Sequence, residues 1–390
     1  MSHEMPTLSP ALRGRYRHAA IAVIAAVLAL CALAPAPALA SRSRASAQIA
    51  SVPGKPIVGR LFAPNSVWNQ PLTGNAPLDP ASRRLVAQFA SEAEAEGAAG
   101  TGPFVQTYNY TTPIYVVGRF QRAVRVAIDT DQNQLWVNSL QGASNQVPIP
   151  PRAEPSAGTD SQITIYQPST NRLWEYWDLR HESDGWHARW GGAINDVSTS
   201  PGYYSPLSWT GALSVWGASA TSLPLVAGTM TLAELRSGQI NHALAITIPY
   251  PRAGVVAWPA QRSDGTGSAA ELPEGAHLRL NPNLNIAAMH VPKIVEMIAL
   301  AAQRYGIIVR DQSHADIGFF AEDPTQYGAK PQTASDPYYG LMRDSNGTPD
   351  RLHGAPDPRA LFDGMWPSTF FKYFPWRSLQ VLKMSLHSTG

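Results

Sequence analysis

The sequence predicts a mainly β protein: an antiparallel β-sandwich or jelly-roll-like fold with a few peripheral helices. Three observations carry that expectation. Short runs of β-branched and aromatic residues recur from about residue 103 onward, separated by Gly, Asp, Asn and Pro. Few segments show helical periodicity, near residues 79–97, 231–238 and 292–305. Strands follow strands rather than alternating with long helices, which argues against βαβ units.

The elements follow in order. Arg13, Arg15, Arg17 and His18 form a positive start, Ala19 to Leu33 is apolar, and Ala38-Leu39-Ala40 is a small-residue cleavage site. This order predicts a secretory signal peptide over residues 1–40 and a secreted, periplasmic or cell-envelope location. The apolar core is short for a bilayer span, which needs about 20 apolar residues. Leu30 is too large to precede a lipidated Cys31, and no adjacent arginine pair precedes the apolar core. Residues 41–58 read as a Ser/Ala/Pro linker. Residues 59–390 read as a single large β-rich domain whose end, from about 325 to 390, is an aromatic C-terminal extension.

Within that domain, Asp79-Pro80 marks a helix start, and Leu85, Val86 and Phe89 recur at helical spacing before Gly97. Short β-runs come next: Ile114 to Val117, Val124 to Ile128 and Leu135 to Val137. Ser161 to Tyr166 reads as a strand, Gln167 to Asn171 as its turn and Leu173 to Asp178 as the returning strand. Trp186 to Trp190 follows, then a loop-rich stretch from Gly191 to Gly217. Thr231-Leu232-Ala233-Glu234 has capping-box spacing, and Gly238 ends that short helix. Ile240 to Ile248 reads as an apolar strand, and Pro292 to Tyr305 as a helix stopped by Gly306. Ile307 to Val309 and Ile317 to Phe320 read as late strands, and Met365 to Trp376 as an aromatic segment that docks on the body.

Composition narrows the function. The formal net charge is +2 and only 15% of residues are charged, which excludes nucleic-acid binding driven by a strong basic surface. No apolar segment after the signal is long enough to span a membrane. Cys31 is the only cysteine, so signal removal leaves a chain without disulfides or thiolate chemistry. The sequence holds 11 Trp and 14 Tyr, which suit either stacking on flat, weakly charged ligands or the filling of a large β core.

Several short motifs occur in one order between residues 113 and 323. They are Gly158-Thr159-Asp160, Gln167-Pro168-Ser169-Thr170, Trp174-Glu175-Tyr176-Trp177, Ala218 to Leu225, Ile240 to Leu244 and Ala302 to Asp311. In this the chain resembles a family of secreted β-rich proteins of soil and environmental bacteria, some of which stand beside carbohydrate-active modules. The resemblance implies export and a shared fold and assigns no reaction. One departure is Gln162, where the family pattern often has His.

Strand alternation selects the candidate site. On the strand Ser161 to Tyr166, Ile163 and Ile165 face a core, while Asp160, Gln162, Thr164 and Tyr166 share the polar face. On the returning strand Glu175 and Trp177 share one face, and Trp174, Tyr176 and Asp178 share the other. A hairpin brings Asp160 toward Glu175, the pair of carboxyl groups that glycoside hydrolysis commonly uses. Trp174, Trp177, Tyr166 and Gln162 then serve as substrate-binding groups. Asp160 also suits a turn cap, and Glu175 a solvated strand residue. His242 reads as a third catalytic candidate, the base of a polysaccharide lyase, with Arg262 or Arg189 neutralising a uronate carboxylate. Each of these also has a plain structural reading, a satisfied histidine or a surface ion pair. No cofactor or catalytic metal motif occurs. Asp129 to Asn133 is the one stretch suited to a structural calcium ion, and it equally suits a solvated turn.

The expected function is therefore a secreted carbohydrate-active enzyme that cleaves a polysaccharide, by glycoside hydrolysis through paired carboxylates. The alternatives are a non-catalytic carbohydrate-binding or cell-envelope protein, and a lyase using His242.

Overall fold

Two mixed β-sheets and a two-stranded ribbon organise the residues that the computed structural model describes, 61–130, 134–212 and 217–389. All of these belong to the unit Ala50–Gly390. The expected signal peptide over residues 1–40, the expected linker over 41–58 and Cys31 lie outside the described residues. No helix among the described residues is long and apolar enough to cross a membrane.

The chain enters through helix α1 (Ser82–Ala99), which starts a few residues later than the Asp79-Pro80 signal implies. Asp79 does act at that start, accepting a hydrogen bond from Ala81 N at 2.8 Å. The acidic run Glu92 to Glu96 stays inside the helix, which ends at Gly100 in the left-handed conformation, φ 73°.

The five-stranded sheet has the order β2-β4-β5-β6-β3. Its strands are β2 (Ile114–Val116), β3 (Val126–Ile128), β4 (Ile163–Gln167), β5 (Arg172–Glu182) and β6 (Gly185–Ile194). The expected hairpin is present as β4 and β5, antiparallel, with Thr164 opposite Glu175 and Ile163 opposite Tyr176. The expectation of a purely antiparallel fold does not hold, because β2 runs parallel to β4 and β3 parallel to β6. Strands of three residues carry no sequence mark of their partner, and here the long connections let them join in parallel.

A second correction lies between β3 and β4. Leu135 to Val137 is not a strand but part of helix α2 (Gln134–Ser144). Leu140 and Ser144, one turn apart, are its buried residues. The sheet holds that helix by side chains: Trp174 Nε1 donates to Ala143 O at 3.1 Å, and Tyr176 OH bonds Ser144 Oγ at 3.0 Å. These contacts come from residues distant in sequence, so three apolar residues in a row pointed to the wrong local structure.

The six-stranded sheet has the order β1-β11-β7-β10-β9-β12. It comprises β1 (Phe104–Gln106), β7 (Leu244–Ile248), β9 (His277–Leu280), β10 (Ile307–Gln312), β11 (Gly318–Phe320) and β12 (Leu379–Val381). The ribbon pairs β8 (Val255–Ala257) with β13 (Leu386–Ser388). The apolar strand expected from Ile240 begins only at Leu244, so His242 precedes it. The remaining helices are α3 (Leu232–Ser237), α4 (Lys293–Arg304) and the single turn α5 (Pro367–Phe370). Helix α3 carries the full capping box between Thr231 and Glu234 and stops at Gly238, φ 80°.

Side chains of the six-stranded sheet alternate between two hydrophobic cores. Leu244, Ile246, Ile307 and Val309 join α1, α4 and the aromatic C-terminal segment. Ala245, Ile308 and Phe320 join residues of the five-stranded sheet, among them Ile163 and Tyr176. Cover on both faces explains why these strands read as continuous apolar runs. Phe371, Phe374 and Trp376 are buried in the first core, with Phe371 stacked on Phe319 at 5.0 Å between centroids.

Candidate functional site

One cleft of about 660 Å³ gathers residues from both sheets. Asp160 and Gln162 enter it from the lead-in to β4, and Trp177, Arg189 and Trp190 from β5 and β6. Asp311 and Gln312 reach it from the end of β10, and Arg262 and Asp264 from the loop after β8.

The β4 side follows from pairing. Residues directly opposite in an antiparallel pair share a face, so Thr164 and Glu175 define the face that also carries Asp160, Gln162 and Trp177. At its outer end Trp177 Nε1 donates to Asp160 Oδ1 at 3.2 Å, and Gln162 Nε2 donates to Asp160 Oδ2 at 3.3 Å. Gln162 is only 3% exposed, and its Oε1 has no hydrogen-bond partner. Asp160 also fixes the backbone: its carbonyl accepts from Asp178 N at 2.6 Å, where Asp178 adopts φ 50°.

The β10 side depends on a break in strand register. Val309 pairs with Ile246 but Asp311 with Thr247, so Arg310 is an extra residue. Such a bulge re-aims the side chains beyond it. Arg310 turns inward and is fully buried, its guanidinium 3.5 Å over the Phe320 ring. Asp311, next in sequence, opens into the cleft.

Glu175 and Arg310 together hold one loop. The backbone N–H groups of Leu225 and Val226 donate to the two oxygens of Glu175, each at 2.8 Å. Arg310 donates to the carbonyls of Leu225 and Ala227. Tyr204 OH and Thr164 Oγ1 complete the Glu175 shell at 3.0 and 3.2 Å. Burial raises the pKa of Glu175, and these donors and the Arg310 charge act against that rise. Burial lowers Arg310 to about 10. The backbone from Leu225 to Ala227 is thus held over the sheet by a buried acid and a buried base.

A carboxyl cluster borders the cleft, which Asp264 and Asp311 line and beneath which Glu274 is buried. Single oxygens of Asp264, Glu274 and Asp311 lie within 4.8 Å of one another. Glu274 is 0% exposed; its Oε2 accepts from Asp264 N at 3.2 Å, and its Oε1 has no partner. Burial, then the charges of Asp311 and Asp264, push Glu274 up to about 9. Burial, then the charge of Asp264, push Asp311 up to about 7, and Asp160 adds to the same effect while Arg310 opposes it.

The expected site is therefore partly assembled. Asp160, Gln162, Trp177 and Arg262 line the cleft, as does Arg189. Glu175 shares their face, but it is 0% exposed and sealed beneath Leu225 and Val226, so it corrects from a catalytic carboxylate to a structural one. Trp174 points to the other face, buried against α2 under Arg172 at 4.7 Å, and cannot stack on a ligand in the cleft. Tyr166 sits at the far end of β4, paired with Val116 and half-buried against the core.

His242 lines a different cavity, about 360 Å³, with Phe62, Trp68 and Glu234. Its Nδ1 bonds Ala243 O at 2.8 Å and its Nε2 bonds Glu234 Oε2 at 3.1 Å. Both ring nitrogens are engaged away from the cleft, which removes it as a base there. Asp129 lies in a surface network, 2.5 Å from His187 Nδ1, and with Glu182 and His187 brings three ligand-type atoms within 4.8 Å. Residues 131–133 of the proposed calcium stretch lie outside the described residues.

Sequence reasoning passed over Glu274 and Asp264, and read Asp311 only as a strand-end carboxylate that permits a site and equally suits a turn. Their only local signal was a carboxylate at a strand end or beside Gly. Comparison of the chain with protein-family models, with curated proteins and with solved structures gives no match.

Proposed function

We propose that this protein is an exported carbohydrate-active enzyme that hydrolyses a polysaccharide in the cleft between its two sheets. One observation carries the reading: two carboxyl groups from different sheets, Asp160 and Asp311, line one cleft with Trp136, Trp177 and Trp190. In this reading the sheets form a sandwich-like pair around a shared core, with the cleft at its margin.

Indole faces suit the apolar faces of sugar rings. Asp311, held up to about 7 chiefly by burial, keeps a proton at mildly acidic pH and gives it to the glycosidic oxygen as the carbon–oxygen bond breaks. Asp160 accepts two N–H bonds that fix its orientation. It either attacks the anomeric carbon or takes a proton from the attacking water. Water supplies the hydroxyl of the new reducing end, and Asp311 regains its proton before the next turnover.

The test is release of reducing ends by the signal-free chain from plant, fungal and bacterial polysaccharides. Turnover is expected to fall as pH rises through about 7, where the Asp311 proton is lost. Asp160→Asn and Asp311→Asn are each expected to remove product without lowering thermal stability. Undiminished product in both variants would overturn the assignment. Binding without turnover on every polymer would replace hydrolysis by a purely binding role.

A further inference from the structure

We infer that the glycan bound in this cleft is acidic, carrying carboxylate or sulfate groups that Arg189 and Arg262 recognise; this rests on the cleft being the glycan site proposed above. Both arginines line the cleft. Among the described residues neither guanidinium has a hydrogen bond or an ion-pair partner. Arg180, by contrast, meets Asp178 at 2.7 Å, and Arg359 meets Asp357 at 2.6 Å. The contrast is sharpened by the surroundings, since Asp160, Asp264 and Asp311 line the same cleft without pairing to either arginine.

The backbone at both positions is held. Arg189 lies in β6 between Ala188 and Trp190, which pair with Leu179 and Trp177 of β5. Arg262 lies between two anchors. Gln261 N donates to Thr221 O at 3.0 Å and Gln261 Nε2 to Tyr204 O at 2.5 Å, while Asp264 N donates to Glu274. Two guanidinium forks on fixed backbone, with free donors facing a cleft, match planar anions that take two parallel hydrogen bonds. An anionic glycan meets attraction at these two groups and repulsion at Asp160 and Asp264. Together these orient the chain and place its acidic substituents away from the reacting carboxyls. A neutral glycan would leave both arginines unused.

The experiment measures binding of the signal-free protein by affinity electrophoresis and calorimetry. The probes are polygalacturonate, alginate and hyaluronan, each beside its carboxyl-reduced form, and dextran sulfate beside dextran. At least one acidic polymer is expected to bind about ten- to a hundredfold more tightly than its neutral counterpart, as charge-assisted hydrogen bonds allow. That preference should shrink as salt is added. Arg189→Ala and Arg262→Ala should each lose a similar factor on the acidic polymer and nothing on its neutral form. Arg262→Lys, which keeps the charge but not the fork, should recover only part of the loss. Preference for carboxylated over sulfated probes identifies a uronate; the reverse identifies a sulfate ester. The inference is overturned if no acidic polymer outbinds its neutral counterpart, or if the double alanine variant binds as wild type does. Acidic polymer bound but never cleaved would overturn hydrolysis alone. Acidic polymer bound and cleaved by the arginine variants as well as by wild type would overturn this inference alone.

Discussion

Glu175→Gln separates a structural acid from a catalytic one. The carboxyl is fully buried and receives four donors: Val226 N at 2.8 Å and Thr164 Oγ1 at 3.2 Å on Oε1, and Leu225 N at 2.8 Å and Tyr204 OH at 3.0 Å on Oε2. A glutamine with its oxygen at the Oε1 position keeps the first two. Its NH₂ then faces a hydroxyl and a backbone N–H. The Tyr204 hydroxyl can rotate and accept, but the Leu225 N–H cannot, so a buried donor is left opposite another donor. An unsatisfied buried group costs about 1–3 kcal/mol, and the donor–donor approach puts the total near the top, about 3 kcal/mol. A domain of this length unfolds with an entropy of about 0.7 kcal/mol/K, so Tm should fall by about 4 °C. Calorimetry of Glu175→Gln beside Asp160→Asn tests this, because Asp160→Asn faces the cleft and should move Tm by less than about 1 °C. A Glu175→Gln protein with wild-type Tm and no turnover would refute the structural role.

Other consequences follow from the same geometry. Burial disfavours charge on both His242 and Glu234, yet their mutual attraction raises the pKa of His242 and lowers that of Glu234. The stability contributed by His242 is present in full below its ordinary 6.5 and is lost as pH rises through the raised value. That contributed by Glu234 is present above its ordinary 4.5 and is lost as pH falls through the lowered value. The gap in urea midpoint between wild type and His242→Gln should therefore be widest in mild acid and shrink toward alkaline pH; a gap that grows with pH would contradict the pairing. Thr231→Ala removes the side chain that accepts from Glu234 N at 3.2 Å and should cost about 1 kcal/mol, with faster amide exchange confined to α3 and its flanks.

By itself the sequence determined what short-range rules can determine. Thr231, Glu234 and Gly238 specify a helix start and stop within eight residues of chain, and the structure has both. The turn read at 167–171 between two alternating runs specifies the β4–β5 hairpin, and alternation alone puts Asp160, Gln162, Glu175 and Trp177 on one face. Only the tertiary structure decided which of those four meet solvent. Glu175 is closed off by backbone donors from Leu225 and Val226, about fifty residues further on, and Trp177 is not. The carboxyl cluster had no local signature, because Asp264, Glu274 and Asp311 come from separate segments and meet only after β10 has bulged at Arg310. Helix α2 likewise docks on the sheet through Trp174 and Tyr176, which hydrogen-bond its last residues from a distant part of the chain. The physical reason is the same in each case. Caps, turns and alternation are decided by neighbours along the chain, whereas burial and charge proximity are decided by whichever distant segment arrives to cover a side chain.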